Sequence, residues 1–285
     1  MDRKMTETTD KNKAVERSIQ KKYHRQLWTP FIRAVKRYAL IREGDRIAVC
    51  ISGGKDSMLM AKLMQMLNRH SDFPFEVVYL VMDPGYNRLN RQKTESNAKL
   101  LQIPVTIFET NIFDVANSSD KSPCYLCARM RRGSLYAKAK ELGCNKIALG
   151  HHMNDVIETT LMAMFYSSQL QGMLPKLNST NFEGMELIRP LYCIREEDIL
   201  AWCTYNGLEF IRCACRVTEK ASSDDRGEGS KRQEIKALIK RLKTDNPEIE
   251  DSIFNSLHAV CIETFPGLKA KGELHLMPSG PGGAL

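Results

Sequence analysis

The sequence has no long apolar run. None of its 285 residues lies in an apolar stretch that approaches the roughly 18 to 20 residues of a membrane-spanning helix. The amino-terminal segment MDRKMTETTDKNK also lacks the apolar core of a signal peptide. No repeat of about 20 to 50 residues is visible, which argues against a solenoid or a propeller. We therefore expect a cytoplasmic protein that does not contact a membrane.

Two familiar glycine-rich motifs are missing, but another phosphate-binding pattern is present. The sequence contains neither the Walker spacing nor G-x-G-x-x-G. A β-branched run, Ile47 to Ile51, predicts a buried strand, and apolar residues at helical spacing from Leu59 to Leu67 predict a helix. The loop between them consists of Ser52, Gly53, Gly54, Lys55, Asp56 and Ser57. Two glycines let the backbone approach a ligand, and the helix start offers free N–H groups, so we predict a phosphate site. The alternative is a plain Gly-Gly turn.

The nine cysteines are odd in number and irregularly spaced. This argues against a secreted disulfide scaffold and favours thiol or metal chemistry in a reducing compartment. Cys124 and Cys127 form C-x-x-C, and Cys213 and Cys215 form C-x-C far downstream. Three of these thiolates could hold three irons of a [4Fe–4S] cluster, which would leave one iron open to a sulfide. Structural zinc and unliganded thiols are the alternatives. The other cysteines are expected to be small buried hydrophobes: Cys50, Cys144, Cys193, Cys203 and Cys261.

The charge of the chain is positive and concentrated at its start. The net charge is +8, and residues 1–46 carry thirteen Lys and Arg against six Asp and Glu. A second basic group, Arg129, Arg131 and Arg132, follows the C-x-x-C pair. Such groups favour a polyanionic partner, although each could instead be a solvated helix face.

Strands alternate with helices along most of the chain. The predicted strands are Ile47 to Ile51, Phe75 to Met82, Val105 to Phe108, Lys146 to Leu149 and Glu186 to Ile188. This alternation predicts an α/β fold, an open parallel sheet with helices on both faces. We divide the chain into a basic helical extension (1–43, helical from about Ser18 to Leu40 and broken near Pro30), the α/β domain (44–216), a mobile loop with helices split near Pro247 (217–268) and a flexible tail (269–285).

Ligands of parallel sheets bind beyond the carboxyl ends of the strands. Met82 and Asp83 end one predicted strand, and Gly150, His151 and Asp155 follow another. We therefore expect these residues to border the nucleotide, with a carboxylate on Mg²⁺ and a histidine near phosphate. The alternative is an ordinary helix cap with surface histidines.

Taken together, these motifs resemble those of the TtcA family of tRNA 2-thiocytidine synthetases, within the PP-loop ATP pyrophosphatases. The segments that carry the resemblance are SGGKDS, CYLCARMRRG, KIALGHHMND, MFYSSQLQGMLPKL and IRPLYCIREEDI. The resemblance implies an adenine-nucleotide α-hydrolase-like fold, Mg-ATP and a [4Fe–4S] cluster on Cys124, Cys127 and Cys213. It also implies tRNA as substrate, a cysteine desulfurase or sulfide as sulfur donor, and often a homodimer.

In the implied reaction, the C2 oxygen of cytidine 32 attacks the α-phosphate of ATP, and sulfur then replaces the adenylated oxygen. Lys55, Asp56 and Asp155 would be catalytic, and the arginines after the C-x-x-C pair would hold tRNA. The sequence departs from the family at Asn154, where an acid is usual, and at the C-x-C pair, where Cys215 could replace Cys213. The segment Thr218 to Lys231 and the amino-terminal extension look additional.

Other functions fit parts of the sequence. A lysidine-synthetase-like enzyme would adenylate cytidine without a cluster, and a paralogue would add or remove sulfur on another thiopyrimidine. A non-catalytic module would bind RNA through its basic face and hold zinc at Cys124 and Cys127. We favour the enzyme because a binding module needs no nucleotide loop.

Overall fold

The structure is a computed structural model that describes residues 2–113, 123–211, 231–270 and 272–276, with side chains from residue 8 in the first range and from residue 129 in the second. A six-stranded sheet forms its centre, in the order β3-β2-β1-β4-β6-β5. The strands are β1 (Arg46–Ile51), β2 (Glu76–Asp83), β3 (Val105–Glu109), β4 (Lys146–Ala148), β5 (Lys176–Asn178) and β6 (Glu186–Ile188). The five predicted strands are thus confirmed, each end within one residue.

Helices cover both faces of the sheet. They are α1 (Asp2–Gln20), α2 (Thr29–Arg37), α3 (Lys55–His70), α4 (Arg88–Leu100), α5 (Pro123–Glu141), α6 (Met153–Tyr166), α7 (Glu196–Tyr205), α8 (Lys231–Asp245) and α9 (Ile249–Ser256). Alternate residues of β1 serve the two layers. Ile47 and Val49 pack into a large core with α3, whereas Ala48 packs with Tyr136 of α5 in a smaller one. The continuous apolar run of β1 exists because both faces are buried.

The sheet is parallel except at one edge. β5 pairs antiparallel with β6, while the other strand pairs are parallel. The sequence analysis did not predict β5, because Lys176–Asn178 has three residues, of which only Leu177 is apolar. The predicted parallel sheet therefore needs an antiparallel edge strand added to it.

The amino-terminal extension is longer and broken earlier than the sequence predicted. α1 and α2 are separated by a π-helical turn, His24–Trp28. Pro30 lies in the first turn of α2, where its missing N–H breaks no helical hydrogen bond, so the break comes before the proline. α1 is anchored on α3 by Lys62, a fully buried lysine whose Nζ lies 2.7 Å from Asn12 Oδ1 and 3.1 Å from Glu16 Oε1.

The carboxyl-terminal part contains the two expected helices. α8 and α9 are separated around Pro247, as predicted. A hairpin of β7 (Gly267–Ala270) and β8 (Glu273–Leu276) follows, so regular structure continues past residue 269, where the sequence analysis placed the start of a tail. No helix in the described ranges is both long enough and apolar enough to cross a membrane.

The isolated cysteines differ in burial. Cys50, Cys144 and Cys203 are buried, as the sequence predicted, and Cys193 is half-buried. Cys261 is exposed, which contradicts the prediction for that residue. It lies in the segment between α9 and β7.

Candidate functional site

The predicted phosphate loop connects the carboxyl end of β1 to the start of α3. Gly53 has φ of +81°, and a Cβ there would lie 2.5 Å from Thr94 Oγ1 and 2.7 Å from Ile211 Cδ1. Only glycine fits both this conformation and this space. Gly54 caps α3 without a side-chain hydrogen bond, so the first-turn N–H groups are available to an anion.

The two serines of the loop maintain its shape. Ser57 Oγ donates to the carbonyl of Gly54 at 3.0 Å and accepts from the N–H of Ser52 at 3.1 Å. Tyr86 adds a hydrogen bond from its hydroxyl to the carbonyl of Ser52 at 3.0 Å. These hydrogen bonds, two within the loop and one from Tyr86, organise the loop.

A cavity of about 390 Å³ opens beside this loop. It joins the ends of β1, β2 and β4 to one side of α5, and we call it the nucleotide pocket. The predicted site residues that line it are Ser52, Asp56, Ser57, Met82, Arg131, Arg132, Gly150, His151 and Asp155. Gly54 and Lys55 line a larger neighbouring cavity of about 790 Å³, which Asp56 also borders.

Gly150 brings the loop after β4 against the phosphate loop. A Cβ on Gly150 would lie 3.1 Å from the backbone nitrogen of Ser57 and 3.2 Å from the carbonyl carbon of Asp56. These are backbone atoms that cannot rotate away. Glycine at this position lets the two loops that form the pocket touch.

Asp83 is at the predicted place but has another role. Its Oδ1 accepts from the N–H groups of Gly85 at 2.9 Å and Tyr86 at 2.6 Å, and Arg91 donates to Oδ2 at 2.6 Å. Burial opposes ionisation, but these hydrogen bonds lower the pKa of Asp83 below its ordinary value. Its carboxylate stabilises the turn after β2 and does not line the nucleotide pocket.

Lys55 lies between two carboxylates. Its Nζ is 3.1 Å from Asp56 Oδ1 and 2.9 Å from Glu196 Oε1. Burial alone would lower the pKa of Lys55, but the two negative charges outweigh it and raise that pKa. Burial would likewise raise the pKa of Glu196, but Lys55 lowers it to about 2. Glu196 begins α7, and the sequence analysis did not single it out.

His152 lies between the two carboxylates of the pocket. This buried side chain has Nε2 3.8 Å from Asp56 Oδ1 and Nδ1 3.5 Å from Asp155 Oδ2. It also caps α6 reciprocally, because Asp155 Oδ2 accepts from the N–H of His152 at 3.0 Å. Sequence reasoning chose the neighbouring His151; a cap residue followed by an acid three positions later was the available signal for His152.

His151 faces the nucleotide pocket in its neutral form. Burial, followed by the positive charge of Arg189, lowers the pKa of His151 to about 4. Its Nδ1 is buried and has no hydrogen-bond partner among the described residues. An uncharged imidazole with a free nitrogen can exchange a hydrogen bond with a ligand in the pocket.

Two cations of α8 cover the acidic side of the site. Arg232 lies 3.6 Å from Asp155 Oδ1 and 3.2 Å from Glu158 Oε2, and Lys236 lies 3.5 Å from Glu158 Oε1 and 3.2 Å from Glu196 Oε2. Burial raises the pKa of Glu158 despite both cations. Helical periodicity gave no reason to place these α8 residues at the site, since their position depends on how the helix packs on α6.

Asn154 has a structural role that an acid could not fill in the same way. Its Oδ1 accepts from the N–H of Glu196 at 2.9 Å, and its Nδ2 donates to Glu250 Oε1 at 2.7 Å. Only an amide both accepts and donates in this manner. The departure at Asn154 therefore connects α6 to α7 and α9.

The proposed cluster ligands lie outside the described residues in part or in full. Cys124 and Cys127 belong to the first turns of α5, whose side chains are not described there, and Cys213 and Cys215 fall in the undescribed range 212–230, as does most of Thr218 to Lys231. Within the described ranges, no group of three or more His, Cys, Asp and Glu residues has a metal-binding arrangement.

Comparisons with known proteins agree with this geometry. The PP-loop domain family profile matches residues 16–217. A tRNA-cytidine(32) 2-sulfurtransferase of Syntrophotalea carbinolica is 36% identical over 228 residues, which cover 79% of this chain and 85% of the relative. One from Pelobacter propionicus is 36% identical over 231 residues, covering 80% and 83%. Among solved structures, the U34-tRNA thiolase NcsA of Methanococcus maripaludis, determined with its [4Fe–4S] cluster, has a TM-score of 0.63 at 20% identity and covers 86% of this chain and 81% of its own. The PP-loop match and this structural similarity together confirm the adenine-nucleotide α-hydrolase-like fold.

Proposed function

The chain belongs to the PP-loop family of tRNA-cytidine(32) 2-sulfurtransferases, and from this premise we propose that it thiolates tRNA at C2 of cytidine 32 at the expense of ATP. The observation that carries the proposal is the contact between the phosphate loop and the loop after β4, which places Asp56 and Asp155 around one pocket. Two carboxylates and a set of free N–H groups suit the triphosphate and Mg²⁺ of Mg-ATP.

The first step forms an adenylate. The C2 oxygen of cytidine attacks the α-phosphorus of ATP, the bond to the β-phosphate breaks, and pyrophosphate leaves with the electron pair. The N–H groups at the start of α3 and the ammonium of Lys55 would stabilise the charge that develops on the phosphates. Asp56 and Asp155 would hold Mg²⁺, and the backbone N–H of His152 keeps the Asp155 carboxylate in position.

The second step exchanges oxygen for sulfur. Sulfide forms a bond to C2, the C2–O bond breaks, and AMP leaves with the oxygen. A [4Fe–4S] cluster on Cys124, Cys127 and Cys213 would deliver this sulfide when bound. Ile211, the last described residue before Cys213, contacts the phosphate loop at Gly53.

Substrate RNA would contact the basic residues after the C-x-x-C pair. Arg131 and Arg132 line the nucleotide pocket, and Arg129 lies one turn earlier on the same helix. Their guanidinium groups suit RNA phosphates.

The proposal also includes a sulfur donor, a compartment and an oligomeric state. A cysteine desulfurase or free sulfide would provide sulfur, in the cytoplasm, where thiolates stay reduced.

A homodimer is supported by apolar side chains that remain exposed near the hairpin: Leu170, Leu174, Val260, Leu274 and Leu276. Light scattering coupled to gel filtration would measure its mass.

Nucleoside mass spectrometry tests the proposed function. A strain lacking the gene should lose 2-thiocytidine, and the wild-type gene should restore it. Cys124→Ala and Lys55→Ala should not restore it, whereas Cys261→Ala, a change at an exposed cysteine away from the pocket, should. Loss of another thionucleoside, or adenylation of tRNA by iron-free protein without sulfur incorporation, would contradict the proposal and favour the related chemistries.

A further inference from the structure

Another cavity adjoins the nucleotide pocket on the side of Arg132. It has a volume of about 650 Å³ and lies between α5, the segment 177–182 and the end of β6. Arg132 lines both cavities, so the two are neighbours. We call the second one the arginine cavity, because Arg129 and Arg189 also line it.

The arginine cavity gathers three arginines. Within the described ranges, no carboxylate lies close enough to Arg129, Arg132 or Arg189 to form an ion pair, for which the limit is 4.0 Å. Elsewhere in the molecule, arginines such as Arg91 and Arg195 each contact two or more carboxylates. Cations that gather without acids are repelled by one another unless an anion joins them.

Arg189 is the most unusual of these residues. Arg189 comes directly after β6 in the chain and is only 9% exposed. Nη1 donates to the carbonyl of Leu174, but Nε is buried with no hydrogen-bond partner in the described part of the chain. Burial, followed by the like charge of Arg132, lowers the pKa of Arg189 to about 10. An unpaired buried guanidinium N–H is costly, and an anionic acceptor would satisfy it.

The remaining wall of the arginine cavity suits a nucleotide. The rings of Tyr136 and Phe182 stack with centroids 5.0 Å apart and planes 10° apart. Asn178 and Asn181 are exposed at the same wall and can donate and accept hydrogen bonds. The guanidinium and amide groups can bond to RNA, while the stacked ring pair, with Tyr136 only 4% exposed, forms an apolar wall.

We propose that the arginine cavity is an RNA phosphate subsite, in which Arg129, Arg132 and Arg189 hold the backbone phosphate next to the nucleotide that enters the nucleotide pocket. This inference rests on the proposed function. Arg132, shared by the two cavities, marks where the strand passes from one to the other. Arg189 and the segment 177–182 thereby become positioning residues for the substrate.

The subsite is tested by the binding of an unmodified tRNA transcript. Fluorescence anisotropy measures this binding without ATP over a range of KCl concentrations. Arg129→Gln and Arg132→Gln should each weaken binding by roughly fivefold to tenfold at 0.1 M salt and reduce the slope of log K against log salt by about 0.7 to 0.9. Arg189→Lys keeps the charge but loses the planar fork, so it should weaken binding with an unchanged slope. Arg46→Gln is the matched control, since Arg46 pairs with Glu76 at the amino end of β1.

The KM for ATP, measured by pyrophosphate release, distinguishes the two possible sources of a phosphate in the arginine cavity, RNA and ATP. Arg129→Gln should leave it unchanged; a raised KM for ATP with an unchanged tRNA slope would assign the cavity to ATP and overturn the proposal. Slopes equal to that of Arg46→Gln would also overturn it, provided that wild-type protein binds tRNA. Wild-type protein that neither binds nor thiolates tRNA would instead refute the proposed function. Thermal unfolding of Arg189→Lys shows whether its effect is structural.

Discussion

Replacing Lys55 separates its catalytic role from its structural one. Lys55→Gln removes the cation between Asp56 and Glu196. Loss of one preorganised donor at a developing negative charge lowers kcat by about 10² to 10³. We therefore expect pyrophosphate release to fall by that factor.

The same change should affect stability less. Removing one partner of a fully buried ion pair costs about 3 to 5 kcal/mol. Glu196 is about one-quarter exposed and keeps a second cation, Lys236, at 3.2 Å. We therefore expect about 1 to 2 kcal/mol, or a Tm lower by roughly 2 to 6 °C.

A double variant isolates the two effects. Lys55→Gln combined with Glu196→Gln removes both charges of the pair, so part of the lost Tm should return while kcat stays low. Calorimetry and a pyrophosphate assay measure both. If the double variant regained activity, Lys55 would act only as the partner of Glu196, and the reasoning about charge on the phosphates would be refuted.

Two further predictions concern the loop after β4. Gly150→Ala should raise the KM for ATP with only a small loss of Tm, because its Cβ would lie 3.1 Å from the backbone nitrogen of Ser57 and would push the phosphate loop aside. An unchanged KM would contradict the close contact of the loops. For His151, the folded pKa of about 4 lies below the ordinary 6.5, so the unfolded chain binds the extra proton and stability falls as pH drops through that interval. Urea unfolding should show a steeper loss from pH 6.5 to pH 4 in wild type than in His151→Phe, and parallel curves would disprove the shift.

The sequence alone determined the local parts of this protein. The run from Ile47 to Ser57 specifies strand, loop and helix because its apolar spacing, its two glycines and its polar cap are contiguous in the chain. The same local signals located the five parallel strands, and motif resemblance indicated the family. They did not reveal β5, whose three residues carry too little pattern.

Tertiary structure decided which side chains meet. Glu196 and Lys236 reach the site from different elements, and their spacing in the sequence gives no hint of this. Asp83 has the right position at a strand end, yet turn N–H groups and Arg91 occupy its carboxylate. Partner choice depends on how helices pack on the sheet and on which polar groups remain unsatisfied after packing, and neither is a property of a local stretch of residues.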